Sequence, residues 1–411
     1  ALPVNLVLKE ATMCSPMLLS VLSLSAQAVQ PPQRPEKLLI NVQFTQSARP
    51  WFIADNNTWS HIDGLPFDGI TYNVPATWDT MRGEYDFTSA DLDQQFEDVN
   101  FSFQNVDSNF VGVVVRRRTD TALQGDFFDD VAWDQTCAAV SRLAAEASRP
   151  KNQCIGVLFD NEEYFEQVWN YPDDVMLAAQ HDLDSYRAKA RQRGREFMDA
   201  LVSVWPEAVV MSLHGPYLSA PERALPENAG VTLNQVGDPS EYELFLPFFV
   251  GMLDASLYPG QIVDGGEVYQ LRNRAEFEFN YCWRKTAMSS SSVVPPEWSG
   301  AAWILGVGAT YGIYPYSWPD PVTDPMTPAI FESVVTHAIE SGDDYAWVFT
   351  EASRDFLVPG GIPAPWIDAV ERGRLRADRV TRDRLSAFAW PILERLVWFS
   401  PAGLERLVGC R

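Results

Sequence analysis

The chain has 411 residues, 46% of them hydrophobic, and carries 55 acidic against 31 basic side chains for a formal charge of −24. So acidic a surface repels phosphate backbones and anionic headgroups, which excludes nucleic acid and membrane surfaces as expected partners. The length and apolar content favour one large core over disorder or a string of small modules, and five cysteines without any CxxC pair exclude a zinc ribbon.

In chain order, the first feature is Met13–Ala28, a short apolar run closing on Ala26-Gln27-Ala28, as a secretory leader and its cleavage site would. The expected mature start is Val29, and the expected location is secreted or periplasmic. The flank holds only Lys9 beside Glu10, so a buried N-terminal helix stays open as the alternative. Either way the run is too short to span a bilayer. Removal of the leader leaves Cys137, Cys154, Cys282 and Cys410 for disulfides whose pairing the sequence does not give.

Beyond the leader, short β-branched or apolar runs alternate with helical periodicity, the pattern of βα units on a parallel sheet. The expected strands are Leu38–Phe44, Gly69–Asn73, Phe110–Val115, Ile155–Phe159, Ala208–Leu213, Gln261–Asp264, Ala302–Gly308 and Tyr345–Phe349. Expected helices between them include Ala90–Asn100, Trp133–Ala147, Leu177–Val204, Tyr242–Ala255 and Ala329–Glu340. Eight strands with no glycine-rich dinucleotide turn after the first predict an α/β fold of the (β/α)8 TIM-barrel type. The chain divides into a leader and extension (1–35), a barrel (36–371) and a C-terminal helical extension (372–411). In the last, Leu385, Phe388, Ile392, Leu396 and Phe399 recur at helical spacing.

A barrel of this kind does its chemistry at the C-terminal ends of its strands. The fourth run ends in Phe159-Asp160-Asn161-Glu162-Glu163-Tyr164, and strand alternation puts Asp160, Glu162 and Tyr164 on one face. The sixth ends in Asp264-Gly265-Gly266-Glu267-Val268-Tyr269, where two glycines allow a sharp turn towards the mouth. Glu162 and Glu267 are therefore the catalytic candidates. Asp160, Tyr164, His214, Tyr269, Trp318 and Glu351 are candidates for binding substrate. The bland alternatives are helix caps or arginine partners for the fourth-strand acids, a loop acid for Glu267, a helix N-terminal carboxylate for Glu351 and a satisfied structural imidazole for His214. No Gly-x-Ser-x-Gly elbow occurs, and four histidines are too few for a His-rich metal cluster.

The pattern from about Leu38 to Trp366 resembles the (β/α)8 glycoside hydrolases. Asn161-Glu162 resembles the Asn-Glu of their large retaining clan, and Asp160-x-Glu162-x-Tyr164 resembles the strand-four motif of chitinase-like barrels. Both resemblances imply that Glu162 donates the proton. The clan's nucleophile follows strand seven, whereas here Gly308-Ala309-Thr310-Tyr311 has no acid before Asp320, so Glu267 is assigned as the partner by position alone. The resemblance implies a carbohydrate substrate, a secreted hydrolase, and no cofactor or metal. Two rivals are a lyase or isomerase holding Mg²⁺ or Ca²⁺ through Asp160, Glu162 and Asp264, and a non-catalytic carbohydrate-binding barrel.

Overall fold

The computed structural model describes residues 37–42, 56–76, 87–99, 103–114, 126–162, 168–173, 175, 177–219, 242–267, 269–290, 294–316, 325–350 and 355–387. The leader, Tyr164, Trp318, Glu351 and the segment after 387 lie outside them.

Nine strand segments run parallel: β1 Leu38–Val42, β2 Gly69–Tyr72, β3 Asn109–Val114, β4 Cys154–Asp160, β5 Val209–Ser212, β6 Ile262–Asp264, β7 Val307–Ala309, β8 Gly312–Ile313 and β9 Tyr345–Phe349. Each pairs with its neighbour in sequence from β1 to β7, while β9 pairs with β1 on one side and β8 on the other. β7 and β8 are two halves of one extended run. The Gly312 amide reaches back to Gly266 O at 3.0 Å, and Trp347 N donates forward to Tyr311 O at 2.9 Å. The run thus bridges β6 and β9 and closes the sheet into an eight-stranded barrel.

Alternation along the strands sorts side chains into two cores. Ile40, Val42, Phe110, Leu158, Val209, Met211, Leu213, Val263, Tyr345 and Trp347 cluster together inside the ring. Leu39, Val111, Val113, Val157, Phe159, Val210 and Ile262 belong to the larger cluster under the helices. Fully burying each such aliphatic side chain stabilises the fold by roughly 1.5–3 kcal/mol.

The outer layer holds α1 Asn56–Asp63, α2 Ser89–Val99, α3 Asp130–Ala147, α4 Leu183–Val202, α5 Phe245–Ala255, α6 Arg274–Ser290, α7 Ala301–Gly306, α8 Pro328–Ser341 and α9 Ala364–Ala387. Their starts follow capping chemistry. Asp129 accepts from Ala132 N, Asp182 from Ser185 N, and Thr327 from Ile330 N with Pro328 at the first helical position. Residue 372, where the sequence reading begins the C-terminal extension, lies inside α9. There Arg372 pairs with Glu332 of α8 at 2.8 Å, and Thr336 Oγ1 of α8 donates to Gly373 O at 3.2 Å.

One expected strand is displaced. Within Ala302–Gly308, residues up to Gly306 form α7, and the strand starts at Val307. A seven-residue apolar run has no period that separates helix from strand. Tertiary contacts decide it: Trp303 buries into the core, and Lys285 Nζ takes the carbonyls of Ile304, at 3.2 Å, and Val307. Two described cysteines, Cys137 and Cys154, are not in a disulfide, so the sequence reading's four candidates do not all pair.

The barrel closure depends on a residue without a side chain. A Cβ on Gly312 would lie 2.2 Å from the Trp347 ring, which is fully buried and whose Nε1 donates to Gly265 O at 2.8 Å. Gly312→Ala should therefore cost about 1–3 kcal/mol by overpacking. Urea unfolding of the variant checks this, and an unchanged midpoint would mean that the closure tolerates a methyl group there.

Candidate active site

Strand-end geometry brings the two catalytic candidates to one rim of the barrel. Asp160 ends β4 on the interior side, and its Oδ1 accepts the amide of Glu162 at 3.0 Å, which turns the chain so that Glu162 faces the mouth. At the end of β6, Gly266 has φ +57° and a Cβ there would fall 2.3 Å from Arg284 Nη1, so the turn needs glycine. The turn sets Glu267 in a parallel bridge with Gly312, beside β8.

Glu162 and Glu267 meet at His214, just after β5. His214 Nε2 lies 3.1 Å from Glu162 Oε1 in a hydrogen bond. It also lies 2.9 Å from Glu267 Oε2, an ion-pair contact when the ring is protonated. One oxygen of each carboxylate and the ring nitrogen all fall within 4.8 Å of one another. Two unit charges at about that spacing repel by roughly 3 kcal/mol at an effective dielectric of about 20. A cation between them offsets this.

The ring is held from behind. His214 N donates to Asn161 Oδ1 at 2.9 Å, Asn161 Nδ2 donates to His214 O at 3.3 Å, and Trp169 Nε1 donates to Asn161 O at 3.1 Å. Asn161 is fully buried, so the residue before Glu162 serves to join the ends of β4 and β5.

Burial and charge act differently on the three groups. Burial alone would push the His214 imidazole down, but the carboxylates of Glu267 and Glu162 outweigh it and hold the ring up at about 10. For Glu267, burial foremost and then the Glu162 charge push the carboxyl above its usual range, against the opposing pull of His214 and the Tyr269 hydroxyl.

Aromatic rings form one wall of the rim. Tyr269 and Tyr314 lie with centroids 4.9 Å apart, Tyr314 and Tyr316 4.2 Å apart, and Phe349 stacks on Tyr314 at 5.9 Å. Tyr316 and Phe349 are partly exposed. On the opposite side, both amide atoms of Asn73, after β2, are buried with no partner, and the side chain occupies the space above Gly112.

Of the sequence candidates, Glu162, Glu267, His214, Asp160 and Tyr269 come together. His214 does not stand where it can contact substrate: its side chain is 2% exposed and is turned to the two carboxylates. Asp264 leaves the rim altogether. It pairs with Arg284 Nη1 of α6 at 2.9 Å, under the barrel wall, so the cation set Asp160, Glu162 and Asp264 is not assembled. The convergence of Glu162, His214 and Glu267 has a spacing that also suits a divalent ion. Arg284 was absent from the sequence candidates, and α6 presents no apolar stripe that would have marked it.

No family model matches the chain, and no curated protein matches it. Solved structures that resemble it include an exo-β-1,4-mannosidase from Opitutaceae bacterium strain TAV5, at 11% identity and TM-score 0.47, with 86% of this chain and 62% of the mannosidase covered. A thermostable mutant of a xylanase from Cellvibrio japonicus matches at 10% identity and TM-score 0.45, over 83% of this chain and 98% of the xylanase. The catalytic domain of the major endoglucanase from Xanthomonas campestris pv. campestris matches at 11% identity and TM-score 0.42, over 85% and 98%. The chain thus spans less than two thirds of the mannosidase. Scores and identities this low leave the chemistry to be argued from the side chains.

Proposed function

We propose that the chain is a glycoside hydrolase that cleaves O-glycosyl bonds with retention of configuration, using Glu267 as the acid and base and Glu162 as the nucleophile. One observation carries the reading: two carboxylates from different strand ends converge on the C-terminal rim, one more deeply buried than the other. Glycoside hydrolysis uses such a pair. Separations of about 5–5.5 Å leave no room for a water between carboxylate and sugar and so favour a covalent intermediate.

Roles follow from environment. Burial and the neighbouring Glu162 charge keep the proton on Glu267, the state a proton donor needs. Sequence resemblance implied the reverse assignment, and the burial difference favours exchanging the two. In the first step, Glu162 attacks the anomeric carbon, the glycosidic C–O bond breaks, and the Glu267 proton passes to the departing oxygen. Esterified Glu162 has no charge, so one cause of Glu267's raised affinity for protons disappears. Glu267 then takes a proton from water as the water oxygen attacks the anomeric carbon, and Glu162 leaves as carboxylate.

The partly exposed faces of Tyr316 and Phe349 suit the apolar face of a sugar ring, and the Asn73 amide suits a hydroxyl. We place the enzyme outside the cytoplasm, on the strength of the Met13–Ala28 pattern. Among the described residues no helix is long and apolar enough to cross a membrane.

The test is to incubate the chain with a panel of oligo- and polysaccharides in the presence of a chelator and to follow the first-formed anomer by NMR. Retention with activity unaffected by chelation is expected. Inversion would overturn the two-step route, loss of activity on chelation would favour the metal-dependent rival, and binding without cleavage would favour the carbohydrate-binding one.

A further inference from the structure

We propose that Cys282, on the outward face of α6, is joined by a disulfide to Cys410, and that the apolar segment 388–411 tethered in this way covers that face.

Elimination narrows the pairing before geometry does. Cys282 is disulfide-bonded, whereas Cys137 and Cys154 are not. The chain has five cysteines, so the partner within the chain is Cys14 or Cys410, both outside the described residues. Cys14 falls in the Met13–Ala28 pattern, and removal of that leader on export takes it away. Export also brings the chain to the oxidising conditions in which a disulfide persists. The choice of Cys410 thus rests on the export reading and is independent of the hydrolase reading.

The inner face of α6 buries Phe277, Tyr281, Arg284 and Met288. Along its other side, Ala275, Phe279, Cys282, Trp283 and Thr286 recur at helical spacing, and none of them is charged in a chain of net charge −24. The acids nearest to that side are engaged: Glu278 pairs with Arg274 at 2.6 Å, and Glu276 accepts the amides of Arg272 and Asn273. Phe279 is 42% exposed, with Cys282 and Trp283 half-buried beside it. Single exposed apolar side chains are ordinary. What sets Phe279 apart is the disulfide three residues on, which brings a second piece of chain against it.

The C-terminal segment has the matching chemistry. Phe388, Ile392, Leu396 and Phe399 recur at helical spacing, and between Phe388 and Phe399 the charged residues are Glu394 and Arg395 alone. Reach also allows the pairing. α9 lies on α8 through Arg372 and Glu332, and α8 meets α6 where the His337 ring lies 6.3 Å from that of Phe277. Two helix spacings of about 8–10 Å therefore separate α9 from α6. The roughly two dozen residues from Ala387 to Cys410 cover about 35 Å even as continuous helix.

The bond forms by exchange with an oxidised dithiol carrier of the exported compartment. One cysteine thiolate attacks the carrier's disulfide, and the other then displaces the carrier from the mixed disulfide. The carrier leaves as a dithiol, with the two electrons and two protons that the cysteines have lost.

The test uses the full chain, exported and kept from reductant, digested, and its peptides weighed. A peptide linking Cys282 to Cys410 is expected, and it should separate into two on reduction. A peptide linking Cys14 to Cys282, a Cys282 that takes up iodoacetamide without reduction, or a Cys282–Cys410 link between two copies, seen as a dimer on a non-reducing gel, overturns the pairing. Cys282→Ser and Cys410→Ser should each lower Tm by about 2–5 °C, and the double variant by no more than either alone. Additive losses would also overturn it. Docking is read separately by hydrogen exchange: amides of 388–399 should exchange about tenfold or more slowly in the unaltered chain than in Cys410→Ser. Equal exchange in the two would mean a tether without a docked segment and overturn that part. No substrate enters these measurements, so they stand whether or not a glycoside is cleaved.

Discussion

Glu267→Gln is expected to lower turnover by about 10²- to 10⁴-fold on a glycoside with a poor leaving group, the usual contribution of a positioned general acid. On an activated aryl glycoside the loss should be much smaller, because the departing phenolate needs little protonation. Glu162→Gln should lose at least as much on both substrates, since the first bond to the anomeric carbon cannot form without the carboxylate. Addition of azide separates the two further. It can stand in for the base in Glu267→Gln and give a glycosyl azide of retained configuration, whereas in Glu162→Gln it attacks directly and gives the inverted one. The pattern with the two residues exchanged would restore the roles that sequence resemblance implied. Full activity in both variants would end the hydrolase proposal.

The two acids are legible in the sequence because each follows an apolar strand run directly, and period-two alternation from Leu158 through Asp160 places Glu162 on the interior side. Glu267 could be seen because Gly265-Gly266 announces a turn. Asp264 was grouped with the rim acids only because it ends a strand; as the residue after interior-facing Val263 it points outward, to α6. His214 was visible as a strand-end histidine, but its partners come from β4 and β6, about 50 residues away on either side, and no local pattern carries that convergence. The displaced seventh strand has a similar origin, since α7 and β7 share one apolar run and Lys285, from α6, sets the boundary. The helix α6 itself escaped because its buried face includes Asn280, Arg284 and Lys285 among Phe277, Tyr281 and Met288. A buried face that is half polar has no apolar stripe.

That polar face leads to the largest expected loss of stability. Arg284 is buried to 1% exposure and ties three backbone segments together: Nη1 pairs with Asp264 Oδ1 at 2.9 Å, Nη2 donates to Thr310 O at 2.6 Å, and Nε donates to Asn280 Oδ1 at 2.9 Å. Its guanidinium also lies over the Tyr311 ring, 4.8 Å from the centroid. Removal of one partner leaves the other charge buried without compensation, which typically costs about 3–5 kcal/mol. Arg284→Met should show a loss of that size in urea unfolding. Arg284→Lys should recover only part of it, because an ammonium cannot make the same planar set of bonds. In the double variant with Asp264→Asn, the stranded carboxylate is gone, so the combined loss should be smaller than the two single losses added together. Additive losses would mean that the pair contributes through packing and not through charge. Because Arg284 also holds the carbonyl of Asp264, which opens the Gly265-Gly266 turn, and that of Thr310, which lies against Gly266 between β7 and β8, Arg284→Met should lower turnover even at temperatures where the variant is fully folded. The effect would reach the reaction through the placement of Glu267 at the end of that turn.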